Sequence, residues 1–285
     1  MTRPRFRGRL EVPDGRIDYE VAGDGPGLVL LHAAIADLRM WDREIDRLAP
    51  DHRVVRFNFR GYGGSLPASA PFSRVRDLEA VVVHLGLDRP VIVGPSVGGR
   101  IAIDFALERP DAVGGLLLVA PGLSGFEAEL EPAGAAAYAA DERRSREVAA
   151  AWKAGDRATA IELLRTLWCP ALSGAALDRF RQMVEENLDE VFDDRSERWD
   201  TLPDPPAARR LGGIDAPTTV LIGDRDNPVM GYFAEYIARQ IPGAVRVKVP
   251  GGDHLLNLSR PDAFDAGLAS LLGRVRRPAE RAAGV

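Results

Sequence analysis

One serine in the sequence stands between glycines at the spacing of a catalytic nucleophile. The segment Gly94-Pro95-Ser96-Val97-Gly98 has the pattern Gly-x-Ser-x-Gly; it follows a β-branched run at 91–93 and precedes apolar residues at helical spacing over 99–107. A strand, a sharp turn and a helix in this order expose a serine hydroxyl on a strained turn, and the glycines allow close backbone approach. The pattern predicts that Ser96 is a nucleophile for acyl chemistry.

A serine hydroxyl is a poor nucleophile near neutral pH, so it needs a general base, and the base needs an orienting acid. The chain has four histidines. One of them, His254, ends the glycine-rich segment Gly251-Gly252-Asp253-His254, directly after the last predicted strand. Because ligand sites in parallel α/β sheets gather at the carboxyl ends of strands, we predict that His254 is the base.

The orienting acid is expected at the end of another strand. The segment Gly223-Asp224-Arg225-Asp226 follows the apolar run at 218–222 and offers two aspartates. Asp226 lies further along the turn, whereas Asp224 is closer to the strand and is alternatively a turn residue that pairs with Arg225. Spacing alone leaves both candidates open.

The elements that must position these residues alternate between strand and helix patterns. Two alternating runs at the N-terminus predict a hairpin, and continuous apolar runs separated by helical periodicity predict strands that are buried on both faces. This rhythm predicts an α/β fold with a mostly parallel sheet and helices on both faces. The predicted strands fall at 7–12, 16–21, 28–31, 53–57, 91–93, 116–119, 218–222 and 244–249.

The strand pattern disappears in the middle of the chain. Between 122 and 213 the sequence is rich in Ala, Glu and Arg, and its apolar residues stand at helical spacing. A Pro-rich segment at 202–206 then precedes the return of the β/α rhythm. We therefore predict a core formed by 1–121 and 214–285, with an inserted helical cap at 122–213.

These motifs resemble the α/β-hydrolase superfamily, in particular its small cap-bearing serine hydrolases of the esterase and lactonase kind, over about residues 10–275. The resemblance implies a mostly parallel eight-stranded sheet flanked by helices, with an inserted cap. In the family's Gly-x-x-Asp pattern the last acid is catalytic, which favours Asp226 over Asp224 as partner of Ser96 and His254. The segments that carry the resemblance are Leu30-Leu31-His32-Ala33-Ala34, Met40-Trp41-Asp42, Arg60-Gly61-Tyr62-Gly63-x-Ser65, Gly94–Gly99, Gly223–Asp226 and Gly252–His254.

The resemblance also implies an oxyanion hole made of two backbone N–H groups, those of Val97 and Ala34. The family usually has His-Gly-x where this chain has His32-Ala33-Ala34, and alanine tolerates fewer backbone conformations than glycine. We expect His32 to hydrogen-bond this loop rather than to act on substrate. A serine at the elbow argues against the haloalkane dehalogenase and epoxide hydrolase branches, which place an aspartate there.

The helical cap is expected to lie over Ser96 and to complete an apolar pocket, for which Trp152, Trp168 and Met183 are candidates. Such a pocket favours a small to medium ester or lactone. Three alternatives on the same triad stay open: C–C bond hydrolysis of a diketone, enol-lactone hydrolysis and acyl transfer. A non-catalytic ligand-binding protein of this fold is a fourth. The sequence decides neither the physiological substrate nor the oligomeric state.

Composition narrows the partners further. A net charge of −5 and a pI near 5.5 predict neither nucleic acid nor membrane as a partner, which leaves a small-molecule acyl substrate. The lone Cys169 excludes an intrachain disulfide, and neither a signal peptide nor a membrane span is indicated, so a cytoplasmic location is expected. No metal-ligand motif or cofactor fingerprint is present, and we expect no metal and no cofactor.

Overall fold

The computed structural model describes residues 4–126, 131–192 and 198–282. Eight strands form one sheet, and their order across it is β1-β2-β4-β3-β5-β6-β7-β8. Strands β1, β2 and β4 pair antiparallel, and every other pairing is parallel. The predicted α/β fold with a mostly parallel eight-stranded sheet is confirmed. The strands are β1 (Arg5–Val12), β2 (Gly15–Ala22), β3 (Gly27–Leu30), β4 (Arg53–Phe57), β5 (Val91–Ser96), β6 (Gly115–Pro121), β7 (Thr218–Gly223) and β8 (Val245–Val249).

The central strands bury both faces, and for that reason their sequences are uninterrupted apolar runs. Successive side chains point to opposite faces of a strand. Accordingly Val29 of β3 belongs to one hydrophobic cluster, together with helices α2, α3 and α7. Its neighbours Leu28 and Leu30 belong to the other, together with helices α1 and α9. The helices are α1 (Asp42–Leu48), α2 (Arg74–His84), α3 (Val97–Glu108), α4 (Pro132–Lys153), α5 (Arg157–Trp168), α6 (Gly174–Phe192), α7 (Pro228–Gln240), α8 (Leu256–Ser259) and α9 (Pro261–Ala282).

The chain between β6 and β7 contains the long helices α4, α5 and α6, which we call the helical insertion. Helix α5 begins at Arg157 because the Asp156 carboxylate accepts a hydrogen bond from the Thr159 N–H, as an N-cap does. The insertion packs around its own fully buried side chains, among them Phe180 and Met183. Within the described ranges, no helix is long and apolar enough to cross a membrane.

Candidate active site

Ser96 ends β5, and helix α3 begins at the next residue. Its backbone has φ +53° and ψ −123°, a combination that non-glycine residues rarely adopt and that costs conformational energy. The Gly122 N–H donates a 2.9 Å hydrogen bond to the Ser96 carbonyl, which helps to hold this turn against β6. The strained strand-to-helix turn is the local geometry of a nucleophile elbow.

The glycines around Ser96 are needed for close approach of the chain to itself. A Cβ atom on Gly98 would lie 2.8 Å from the His32 carbonyl oxygen, and one on Gly99 would lie 2.6 Å from Cβ of Pro121. A Cβ on Gly94 would collide with the Gly98 backbone. The Gly-x-Ser-x-Gly-Gly pattern therefore follows from packing of β5 and α3 against their neighbours.

His254 and Asp226 meet at the carboxyl ends of two adjacent strands, β8 and β7. The His254 Nδ1 atom lies 3.1 Å from each carboxylate oxygen of Asp226, and both side chains are almost fully buried. The Asn227 N–H donates a 2.7 Å bond to Asp226 Oδ1 and fixes the carboxylate from the other side. A proton held on Nδ1 by Asp226 leaves Nε2 as the proton-accepting nitrogen.

The second aspartate of this turn has a different position. Asp224 Oδ1 accepts a 2.6 Å bond from the Gly251 N–H, and the Arg225 N–H donates to the Gly252 carbonyl at 2.9 Å. Asp224 thus holds the backbone of the loop that carries His254, whereas Asp226 contacts the His254 ring itself. Spacing left these two acids open, and the structure brings Asp226 to the histidine.

Ser96 and His254 open onto one cavity of about 500 Å³ between the sheet edge and the helical insertion. Its walls are mainly apolar, and among the residues that the structure describes no Lys, Arg, Asp or Glu lines it. The Trp168 ring packs over His254 with 4.6 Å between ring centroids. The lining residues are Ala34, Ile35, Ser96, Ser145, Val148, Ala149, Leu164, Leu167, Trp168, Val191, Phe192 and His254.

Of the three pocket candidates, the structure brings only Trp168 to this cavity. Trp152 is not a lining residue; it stacks on the lining residue Phe192 at 5.1 Å between centroids, and its Nε1–H donates to Asp189. Met183 is fully buried in the core of the insertion. The three candidates were chosen for their large apolar side chains. Which residues reach Ser96 depends instead on which face of each helix points toward the sheet.

Sequence reasoning did not single out most of the lining residues as pocket residues. Two short sets among them stand at the i, i+3, i+4 spacing of one helix face, at 145, 148 and 149 and at 164, 167 and 168. This spacing can be recognised in the sequence, but it is as typical of residues in a helix-packing core as of residues in a pocket wall. Neither set therefore pointed to the cavity by itself.

The loop after β3 presents Ala34 to the same cavity. The Ala33 carbonyl accepts from His32 Nδ1 at 2.8 Å and from the Ala36 N–H at 3.0 Å, and the Tyr62 hydroxyl donates to the Ala34 carbonyl at 2.8 Å. In a trans peptide the N–H points opposite to the C=O. The bond to His32 therefore turns the Ala34 N–H away from His32.

His32 serves this loop as a neutral, structural histidine. The Phe59 N–H donates to its Nε2 atom at 2.9 Å, so Nε2 is an acceptor and the ring proton sits on Nδ1. Complete burial lowers the pKa of His32 to about 4. With both nitrogens used by backbone groups, His32 has no free position for substrate chemistry, which agrees with the role expected for it.

A larger cleft of about 910 Å³ lies elsewhere, between the N-terminal hairpin and α6. Its lining is rich in arginine and acidic residues that pair with each other; for example, Arg56 Nε donates to Glu20 at 3.0 Å and Arg39 contacts Asp37 at 2.6 Å. The described residues that line this cleft include no pair of nucleophile and base, in contrast to the smaller cavity.

Two other kinds of reactive centre receive no support from the described residues. No group of three or more His, Cys, Asp or Glu side chains among them is arranged to hold a metal ion. Burial raises the pKa of the Cys169 thiol well above its ordinary value, so Cys169 is a poor nucleophile.

Known proteins resemble this chain across most of its length. The sequence model of the alpha/beta hydrolase family matches residues 28–266. A pimeloyl-(acyl-carrier protein) methyl ester esterase of Neisseria meningitidis is 30% identical over 241 residues, 83% of this chain and 90% of that protein. A fluoroacetate dehalogenase of a Burkholderia species is 38% identical over 117 residues, only 38% of each chain. A solved esterase from Thermogutta terrifontis, 24% identical, superposes with TM-score 0.76 over 95% of this chain and 99% of its own.

Proposed function

Because the chain belongs to the alpha/beta hydrolase family, we propose that it is a serine hydrolase that cleaves a small to medium carboxylic ester or lactone. The reaction proceeds through an acyl-Ser96 intermediate. The observation that carries the proposal is that His254, paired at 3.1 Å with the buried Asp226, lines one mainly apolar cavity together with Ser96.

In the acylation step, His254 Nε2 takes the hydroxyl proton as Ser96 Oγ attacks the substrate carbonyl carbon. Asp226 accepts a hydrogen bond from the Nδ1–H of His254. This bond keeps the imidazole in the required tautomer and stabilises the imidazolium cation. The tetrahedral intermediate collapses when His254 returns the proton to the leaving alcohol oxygen, which leaves acyl-Ser96. A water molecule then attacks the acyl group with His254 again as base, and the carboxylic acid and free Ser96 are released.

The oxyanion of each tetrahedral intermediate needs donors that are already in place before the reaction. We propose the backbone N–H groups of Val97, at the N-terminus of α3, and of Ala34. Two observations support Ala34: it lines the cavity together with Ser96, and its two flanking carbonyls are held by His32 and Tyr62. These bonds restrict the loop in which alanine replaces the usual glycine.

The described cavity walls are mainly apolar, which supports an uncharged apolar acyl group as the substrate portion nearest Ser96. The similarity to an esterase of a methyl ester supports ester chemistry. The partial similarity to fluoroacetate dehalogenase does not extend the proposal to dehalogenation, because the dehalogenase branches that resemble this chain carry an aspartate in place of Ser96. C–C bond hydrolysis, enol-lactone hydrolysis and acyl transfer use the same triad, and product analysis separates them.

A fluorophosphonate probe tests the nucleophile directly, because it reacts with an activated serine whatever the natural substrate is. We expect the wild type to be labelled and Ser96→Ala to remain unlabelled. Ser145→Ala is the matched control, since Ser145 lines the same cavity but lies on α4, and it should still be labelled. Labelling of Ser96→Ala, or none of the wild type, would overturn the assignment of Ser96.

A panel of activated esters with acyl chains from acetyl to dodecanoyl tests the reaction class. We expect turnover by the wild type, with an optimum at short to medium chains, and none above background by Ser96→Ala. A labelled wild type that hydrolyses no ester or lactone would contradict ester hydrolysis while leaving Ser96 as the nucleophile.

A further inference from the structure

Helix α4 of the insertion contacts the loop that carries the proposed acid. Asp141 Oδ1 accepts a 2.6 Å hydrogen bond from the Asn227 side-chain amide. Asn227 is buried, its backbone N–H holds the Asp226 carboxylate, and its Oδ1 accepts from the Val229 N–H at the start of α7. Asp141 therefore holds the residue that positions Asp226.

The end of helix α5 contacts the loop that carries the proposed base. The His254 N–H donates to the Trp168 carbonyl at 3.1 Å, and the Ala171 N–H donates to Asp253 Oδ2 at 2.9 Å. Asp253 is fully buried, and its other oxygen accepts from the Leu255 N–H. Asp253 and the His254 backbone are thus bonded directly to the insertion.

Helix α6 contacts the chain just after the proposed oxyanion loop. The buried Asn187 donates to Asp37 Oδ2 at 2.7 Å and to the Met183 carbonyl at 2.7 Å, and its Oδ1 accepts from the Gly63 N–H at 3.1 Å. Asp37 stands three residues after Ala34 and is itself buried. Asn187 therefore holds two loops of the core at once.

Each helix of the insertion thus makes a polar contact in, or directly after, a different loop of the proposed site. We propose that the insertion positions these loops, with Asp141 and Asn187 as positioning residues, in addition to walling the cavity. This role presupposes the serine-hydrolase activity proposed above. Loops are more mobile than the strands and helices they connect, and displacement of a catalytic group by about 1 Å can cost a hundredfold in rate. In this role the insertion holds the catalytic loops in position as well as covering the cavity.

The test compares variants that remove a contact with one that restores it. Asp141→Ala removes the acceptor for Asn227, whereas Asp141→Asn keeps an acceptor oxygen. Asn187→Ala removes the contacts with Asp37 and Gly63. Glu185→Gln is the matched control, because Glu185 lies on α6 and pairs with the partly exposed Arg157 within the insertion.

We expect Asp141→Ala and Asn187→Ala to lower kcat by about tenfold with KM changed less than threefold, and to slow fluorophosphonate labelling of Ser96 by a similar factor. Asp141→Asn should recover most of the lost kcat, and Glu185→Gln should match the wild type. Unchanged labelling rates and kcat in both alanine variants, or loss in KM alone, would overturn the positioning role.

Folding and the proposed function are checked in the same samples. Thermal melting reports whether each variant is folded; Asp141 is half-buried, so its variants keep the test available if Asn187→Ala does not fold. A wild type that is labelled but hydrolyses no ester counts against the proposed ester hydrolysis alone, because the labelling rates of the variants still decide the positioning role. A wild type that is not labelled removes the basis of both.

Discussion

The two sides of the Ser96 cavity differ in which part of the chain would do the chemistry. On one side, the proposed base and acid are side chains, and His254 and Asp226 contact each other directly at 3.1 Å. On the other side, the proposed donors are the backbone N–H groups of Ala34 and Val97. The chemistry of a side chain follows from the residue type, so it can be recognised in the sequence. A backbone N–H group is present in almost every residue, so the residue type does not identify a donor.

On the backbone side, side chains act only as supports and supply none of the proposed reacting groups. His32 and Tyr62 hold the carbonyls of Ala33 and Ala34, and neither would touch the reacting atoms. Loss of a reacting side chain removes a chemical step, while loss of a supporting one only relaxes the geometry of a donor. We call His254 and Asp226 the side-chain half of the site, and the Ala34 and Val97 N–H groups with their supporting residues the backbone half. Substitutions in the side-chain half should therefore lower kcat much more than substitutions in the backbone half.

The largest effect is expected for Asp226→Asn, which should lower kcat by about 10⁴-fold because the imidazole loses the partner that fixes its tautomer. Asp224→Asn is the matched control two residues away. An asparagine at 224 still accepts the Gly251 N–H bond, so kcat should stay within a few-fold of wild type. Steady-state kinetics on one activated ester measures both, and the reverse order of effects would assign the acid to Asp224.

The next effect is on stability and tests the neutral state of His32. Its pKa is about 4 in the folded protein and about 6.5 in the unfolded chain. Between these values the unfolded chain binds a proton that the folded protein does not, so the free energy of unfolding falls as pH falls through this window. The contribution is fully present above pH 6.5. We expect a loss of about 2 to 3 kcal/mol between pH 7 and pH 4.5.

Urea unfolding of wild type and His32→Asn at both pH values isolates this contribution. The buried Asp104, with a pKa raised by burial to about 6, changes stability in the opposite direction, but it is present in both proteins and cancels in the difference. Equal pH dependence in the two proteins would show that His32 does not titrate as a buried neutral group.

The side-chain half of the site was predictable because its signals are local. The apolar run of β5, the glycines around Ser96 and the strand-end position of His254 each follow from nearest neighbours in sequence. The choice between Asp224 and Asp226 was different, since both follow the same strand. It depends on how the β7 and β8 loops meet, which is a tertiary property, and only the family pattern favoured Asp226.

The supporting residues and the pocket were harder to predict for the same reason. Nothing in the sequence indicates that Asn187 lies beside Asp37, 150 residues away. Trp152 and Met183 were sensible apolar candidates, yet neither lines the cavity: Met183 is buried in the core of the insertion, and the half-buried Trp152 stacks on Phe192. Helix periodicity defines a buried face without saying what covers it. The boundaries 122 and 213 of the insertion stay a prediction.

The residues of the insertion that line the cavity should affect substrate choice rather than the catalytic steps, and Leu164→Ala tests this expectation. Leu164 lines the cavity from α5, so a smaller residue should raise kcat/KM for long relative to short acyl esters by about tenfold. The neighbouring Leu163 does not line this cavity, and Leu163→Ala should leave the ratio unchanged. The acyl-ester panel measures the ratio. Equal shifts in both variants would mean that acyl length is not read at this wall.

The smallest effect is expected for Tyr62→Phe, which removes the hydroxyl bond to the Ala34 carbonyl but keeps the ring packed on His32, 4.8 Å between centroids. One neutral hydrogen bond contributes about 1 kcal/mol, so kcat should fall about fivefold, with KM unchanged if the bond supports a donor needed only in the transition state. Tyr19→Phe is the matched control, since its hydroxyl contacts His84 instead. Equal kcat for the two variants would mean that the Ala34 loop holds its geometry without the Tyr62 hydroxyl, and that the backbone half does not depend on that hydroxyl.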